Sequence, residues 1–226
     1  MATTFRLLSY PLSAGAPVWP GNPGVRTEAV EAIARGDNAN TTLLHLFTHS
    51  GTHLDAPRHF NEAGPAAYEL PLERFIFFHP LVLEVPKPEG GFITLADLLP
   101  AHARLQAVDL CLLRTGWSNL RAADPARYTA HGPLLHPDAA RFLIDECPGL
   151  RGLATDAISI GSPAYGAESV ATHRVLTGAG RDDGRFLVIF EDLRIDPDLG
   201  HASRIYAWPL FIEGSDGSPC TIVAEF

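Results

Sequence analysis

Apolar residues along this chain gather in short runs, rich in branched and aromatic side chains, with breaks that carry glycine and proline. On that pattern Phe5–Leu8, Leu81–Val85, Leu110–Leu113, Phe186–Phe190, Ile205–Ile212 and Thr221–Phe226 read as strands. The near-continuous apolar ones, LCLL at Leu110–Leu113 and FLVIF at Phe186–Phe190, predict strands covered on both faces. Helical signals are fewer: Thr94–Leu99 behind a threonine cap, Pro137–Glu146 with proline in its first turn, and Glu168–Leu176 ended by Gly178. Strands and short helices alternate, which predicts an α/β chain. Helices this sparse cannot cover both faces of a large sheet, so a layered arrangement with a second sheet is expected in place of a doubly wound one. The segment GAGRDDG, Gly178 to Gly184, reads as an exposed turn; it lacks the order and the Lys-Ser/Thr ending of a phosphate loop. No repeat and no Pro/Ser linker divides the chain, so a single domain over residues 1–226 is expected.

Composition narrows the function classes. With 226 residues, 46% of them apolar, the chain can bury a substantial core, which excludes a disordered protein. A formal net charge of -9 has the wrong sign for a surface that grips phosphate backbones, so no nucleic-acid partner is expected. No apolar run approaches the roughly 18–20 residues that cross a bilayer, and the N-terminal residues lack a basic start and a long apolar stretch. The expectation is therefore a soluble, cytoplasmic protein with no membrane partner. Cys111, Cys147 and Cys220 are far apart and form no CxxC pair, and they read as packing residues.

One stretch carries chemistry. THSGTHLDAPRHF, from Thr48 to Phe60, holds His49, His53, Asp55 and His59. Imidazole and carboxylate are the ligand set of zinc, manganese and iron sites, and imidazole also moves protons near neutral pH. In an extended segment His53 and Asp55 leave the same face with Cα atoms about 6–7 Å apart, and His49 shares that face. A straight strand would spread His49 to Asp55 over about 20 Å, too far for bonds of about 2 Å, so the chain must curl. Gly51 and Pro57 supply the bends. A helix would also align His49 with His53, but the same glycine and proline oppose it. A lone His or Asp in a loop is ordinarily a hydrogen-bonded structural group; four such residues in one window favour a site. Further ligands must come from elsewhere. His173, in SVATHRVL, and Glu191, just after FLVIF at a sheet rim, are candidates, although an acidic residue after a strand is ordinarily a solvated cap.

The window HSGTHLDAPRHF resembles the signature of the cyclase-like metal-dependent hydrolases, the family that includes bacterial kynurenine formamidase: His, a variable residue, GTH, a variable residue, DAP, a variable residue, HF. VWPGNP near the start, LLRTGW at Leu112–Trp117, GLATDAIS at Gly152–Ser159, and a late His173 with Glu191-Asp192-Leu193 extend the resemblance along most of the chain. It implies a three-layer β/β/α fold of the swivelling-domain type, with mixed sheets and few short helices, assembled as a homodimer or homotetramer. It also implies His49, His53 and Asp55 as metal ligands, Asp55 bridging two ions, His173 and Glu191 holding the second, and His59 as the proton-transfer residue. The implied cofactor is a divalent metal, one or two ions per chain, zinc ahead of manganese. The implied reaction is cleavage of a carbon–nitrogen amide bond in a small molecule by metal-activated water, as an arylformamidase does with N-formylkynurenine. A cyclic amide (an isatin-like, lactam or imide ring) is the alternative substrate, and a catalytically silent metal- or ligand-binding relative is the alternative class. Trp19 and Phe60 offer an apolar wall for an aromatic ring, or serve as core plugs. The chain departs from the formamidase subgroup at Asn22, where that subgroup has Asp, and in its longer stretches before His173 and between His173 and Glu191.

Overall fold

The computed structural model describes residues 3–226. Its strands in chain order are β1 (Phe5–Leu7), β2 (Arg26–Glu31), β3 (Thr41–His45), β4 (His53–Asp55), β5 (Ile76–Phe77), β6 (Pro80–Glu84) and β7 (Phe92–Ile93). They continue with β8 (Leu110–Arg114), β9 (Leu134–Leu135), β10 (Gly152–Thr155), β11 (Val188–Glu191), β12 (Arg204–Pro209) and β13 (Gly217–Glu225). The helices are α1 (Leu95–Leu98), α2 (His102–Leu105), α3 (Leu120–Ala123), α4 (Pro125–Ala130), α5 (Pro137–Glu146) and α6 (Gly166–Leu176).

Nine strands form one mixed sheet in the order β5-β12-β13-β4-β11-β10-β8-β6, with β1 added to β13. β6, β8, β10 and β11 are parallel neighbours. β4 enters antiparallel between β11 and β13, and β13 then carries β12 and β1 antiparallel as well. The alternation of side chains along the parallel strands sorts the core into two layers. Leu110, Leu112, Ala154, Val188 and Phe190 face one way, into a cluster with Phe77, Ile205, Ala207, Ile222 and Ala224 of the antiparallel part. Cys111, Leu113, Leu153 and Ile189 face the other way, against Leu98, Leu105, Ala139, Leu143 and Leu176 of the helices. The antiparallel part of the sheet, its parallel part and the helices thus stack as β/β/α, as the family resemblance implies and in keeping with the layered arrangement expected from the scarcity of helices.

Local chemistry explains most element bounds. Pro137–Glu146 is helical over the predicted span because Pro137 opens its first turn and His136 Nδ1 accepts the Asp138 N–H at 3.2 Å. Its buried face is Ala139, Ala140, Leu143 and Ile144, while Asp138, Arg141 and Asp145 are exposed. α6 stops at the predicted place, with Gly178 left-handed at φ +73°. The run Ile205–Ile212 is shorter as a strand than its apolar pattern predicts. It begins at Arg204 and ends at Pro209, because Pro209 and the nearby Pro219 on β13 remove ladder donors, and Leu210, Phe211 and Ile212 are left exposed. The β2–β3 hairpin lacks any predicting pattern, since nearly all of its residues are exposed.

Candidate metal centre and active site

The bends required by the histidine-rich window are present. Gly51 adopts φ +59°, and a Cβ there would lie 2.7 Å from Leu12 Cδ2, so the turn into β4 accepts only glycine without a shift. β4 then carries His53 and Asp55, two apart and so on the same face. Its antiparallel register with β11 sets Glu191 directly opposite His53. Pro57 starts a single 3-10 turn, Pro57–His59, that brings His59 back over the site. His173 arrives from α6 and is 5% exposed.

Four of these side chains converge from three separate elements. His53 Nε2 lies 3.4 Å from both Asp55 Oδ1 and Glu191 Oε2; His173 Nε2 lies 3.4 Å from Glu191 Oε1 and 3.7 Å from Asp55 Oδ2. The opposite nitrogen of each ring is already engaged: His53 Nδ1 with the Gly51 carbonyl at 2.8 Å and His173 Nδ1 with the Ser169 carbonyl at 2.7 Å. Carbonyl oxygens only accept, so both Nδ1 atoms carry hydrogen and the neutral rings present their Nε2 lone pairs to the carboxylates. Lone pairs facing carboxylate oxygens repel unless a proton or a cation lies between them. Asp55 Oδ2 is buried with no hydrogen-bond partner. One atom each of His53, Asp55 and Glu191 lies within 4.8 Å of the others, and the same holds for His49, Asp55 and His59. Two imidazole nitrogens, several carboxylate oxygens and one orphaned oxygen fit a divalent cation.

Burial opposes protonation of His53 and His173, but the Asp55 and Glu191 carboxylates outweigh it and raise both. Burial and the adjacent Asp55 push Glu191 up, and His173 and His53 overcome this to bring it down to about 2. Asp55, despite full burial, is held well below the usual carboxylate range by the surrounding histidines, His59 and His49 first.

His49 stands on the other side of Asp55. Its Nδ1 lies 2.8 Å from Asp55 Oδ1 and its Nε2 2.9 Å from Asp216 Oδ2. Burial opposes charging this ring, and the two carboxylates raise it to about 9. His59 Nδ1 also meets Asp216 Oδ2, at 2.9 Å, and its ring lies 4.0 Å from that of His49. Above these groups opens a cavity of about 360 Å³ walled by Trp19, Phe47, Phe60, Ile158 and Val170, with Asn22 beside them. The Phe60 ring stacks on His173 at 4.6 Å. Trp19 both lines the cavity and packs on the cluster of Trp117, Tyr128, Ala157 and Ile158.

The family model described as "Putative cyclase" matches residues 7–162. The chain belongs to the cyclase family of metal-dependent hydrolases. A protein named kynurenine formamidase from Maricaulis maris is 31% identical to this cyclase-family chain over 96% of its length and 95% of the relative's. Among solved structures, isatin hydrolase A from Labrenzia aggregata shares the fold with a TM-score of 0.82 at 24% identity, over 99% of this chain and 93% of that one. A structure described as a potential metal-dependent hydrolase with cyclase activity matches with a TM-score of 0.75 at 25% identity, covering 99% of this chain and 98% of its own.

Several residues of this cyclase-family site escape sequence reasoning. Asp216, which joins His49, His59 and the Thr48 hydroxyl, is a lone acid in a turn before β13; its position ahead of a strand is the only signal, and a weak one. Ser159 donates its hydroxyl to Glu191 Oε1 at 2.8 Å and the Ile160 N–H donates to the same oxygen at 2.7 Å, so the GLATDAIS segment orients a carboxylate. Its Asp156 is instead structural, accepting from the N–H groups of Thr115 and Gly116 within the LLRTGW turn.

Proposed function

We propose that this cyclase-family hydrolase cleaves the carbon–nitrogen bond of an aryl formamide, with N-formylkynurenine as the first substrate to test. The observation that carries the reading is the meeting of His53 Nε2, His173 Nε2, Asp55 and Glu191 with both Nδ1 atoms committed to carbonyls. His53, Asp55, Glu191 and His173 would hold a first divalent ion, and His49, Asp55 and His59 border a second position. Zinc is preferred over manganese for a compact set that includes several imidazoles. Such an ion, when bound, polarises the substrate carbonyl and brings the pKa of water towards about 7.

The remaining work belongs to the chain. With Nδ1 hydrogen-bonded to Asp216, His59 keeps Nε2 as the basic nitrogen that takes a proton from the attacking water and returns it to the departing amine. Ser159 and the Ile160 N–H hold Glu191 in one orientation. Trp19, Phe47 and Phe60 bind the aromatic ring and exclude water from the reacting carbonyl. The second reading, hydrolysis of a cyclic amide such as an isatin-like ring, is favoured by the structural likeness to isatin hydrolase A and uses the same residues. The protein is further proposed to be a single domain acting in the cytoplasm as a homodimer or homotetramer. No helix among the described residues is long and apolar enough to cross a membrane, and β1 and β13 join early and late residues in one sheet.

Deformylation and ring opening measured side by side, on metal-loaded and chelated protein, test the proposal. Loss of activity on chelation and its return with zinc are expected; turnover that persists in thoroughly chelated protein would sink it.

A further inference from the structure

Asp192 directly follows Glu191 and is the one non-glycine residue with positive φ, +57°, among the described residues. That conformation is unfavourable for a side chain with a Cβ and persists where surroundings impose it. The surroundings here are explicit. Asp192 is fully buried; Arg121 Nε donates to Oδ1 at 2.7 Å and Nη2 to Oδ2 at 2.8 Å, and Tyr128 Oη donates to Oδ1 at 2.6 Å. The Asp192 N–H donates to the Ala157 carbonyl at 2.9 Å, and its own carbonyl accepts the Thr52 hydroxyl at 2.6 Å. That hydroxyl oxygen accepts the Tyr10 N–H at 3.0 Å, and Arg121 lies 3.8 Å above the Tyr10 ring.

One residue is therefore tied to four distant segments, and two of its neighbours reach the site. Thr52 precedes His53, Glu191 precedes Asp192, and His53 and Glu191 are register partners. Glu191 ends β11 with its carboxylate beside His53 and His173, and the left-handed turn at Asp192 carries the next side chain to Arg121. We infer that Asp192 and Arg121, backed by Tyr128, form a positioning clamp that keeps the Glu191 carboxylate and the His53 ring in register for a shared ion. The clamp rests on the reading of Glu191 and His53 as ligands. The bidentate fork fixes the plane of the Asp192 carboxylate, and with it the left-handed turn that ends the strand.

Cobalt(II) titration of the metal-stripped protein, followed by visible absorption, tests this, since the spectrum reports coordination independently of activity. Asp192→Gly keeps the backbone freedom and removes the carboxylate; Arg121→Met keeps the apolar stem and removes the fork. Each is expected to weaken cobalt binding by about 10–100-fold and to alter the visible bands, with kcat reduced and KM nearly unchanged. Tyr128→Phe removes one donor and is expected to shift affinity in the same direction by about 5-fold. Leu143→Ala, in the helix layer, lowers the melting temperature and should leave cobalt affinity and spectrum as in the wild type. Wild-type affinity and spectrum in folded Asp192→Gly and Arg121→Met overturn the clamp; if neither folds, wild-type affinity in Tyr128→Phe does so. Failure of the wild-type protein itself to bind cobalt would instead overturn the metal reading, and the clamp with it.

Discussion

His59 reaches Asp216 through Nδ1, and that bond decides which nitrogen is free to act. His59→Ala is expected to lower kcat by about 10²–10⁴-fold while the ion proposed for His53, Asp55, Glu191 and His173 stays bound. Asp216→Asn, which leaves the imidazole in place but weakens its orientation, should lose about 10–100-fold. Kinetics paired with metal analysis checks both, and an Asp216→Asn enzyme with full kcat would remove Asp216 from the mechanism. Protonation also sets a pH dependence for the chelated protein. His49 is raised from 6.5 to about 9 in the folded chain. A group raised in this way stabilises fully below its unfolded pKa and loses that contribution as pH climbs through the folded one. The melting temperature of chelated protein should therefore fall between about pH 6.5 and pH 9. A melting temperature that stays level across that window would show that the His49 ion pairs contribute nothing. At this scale the sequence is informative wherever candidate ligands lie within one short window, as with His53 and Asp55. It was silent on Asp216, whose partners His49 and His59 lie more than 150 residues away along the chain.

Among the elements, the apolar strands and the amphipathic helix were legible because burial writes itself as a pattern. β8 and β11 are buried on both faces, as LCLL and FLVIF imply, and α5 presents Ala139, Ala140, Leu143 and Ile144 to the core. Leu143→Ala should cost about 2–5 kcal/mol, since Leu143 is fully enclosed and its neighbours can only partly close the void; urea denaturation at unchanged m-value checks it. β4 was harder to read. It has three residues, two of them polar, and its burial serves the site and not an apolar face. The β2–β3 hairpin left no trace because a ribbon exposed on both sides needs no alternation.

For the whole molecule, a layered fold follows from counting helices and its β/β/α order from the family resemblance, whereas the route of β13 follows from neither. That strand backs β4 with Gly217–Pro219 and then joins β12 and β1 in the second layer, a pairing between residues too distant for any local pattern. Because the candidate ligands come from β4, α6 and β11, an ion bound there ties the core layers together. Metal at 100 times its Kd should stabilise the fold by about 2.7 kcal/mol, visible as a rise in melting temperature on adding zinc to stripped protein. No rise under saturating zinc would mean that the cluster does not bind it.

β4 is short, yet it is hydrogen-bonded on both edges, by β11 and by β13. A strand clasped on each side cannot fray by itself, so its amides should exchange with deuterium only when the entire sheet comes apart. An ion or a substrate taken up by the cavity would then enter past Trp19 and Phe60 without any breathing of the strand beneath.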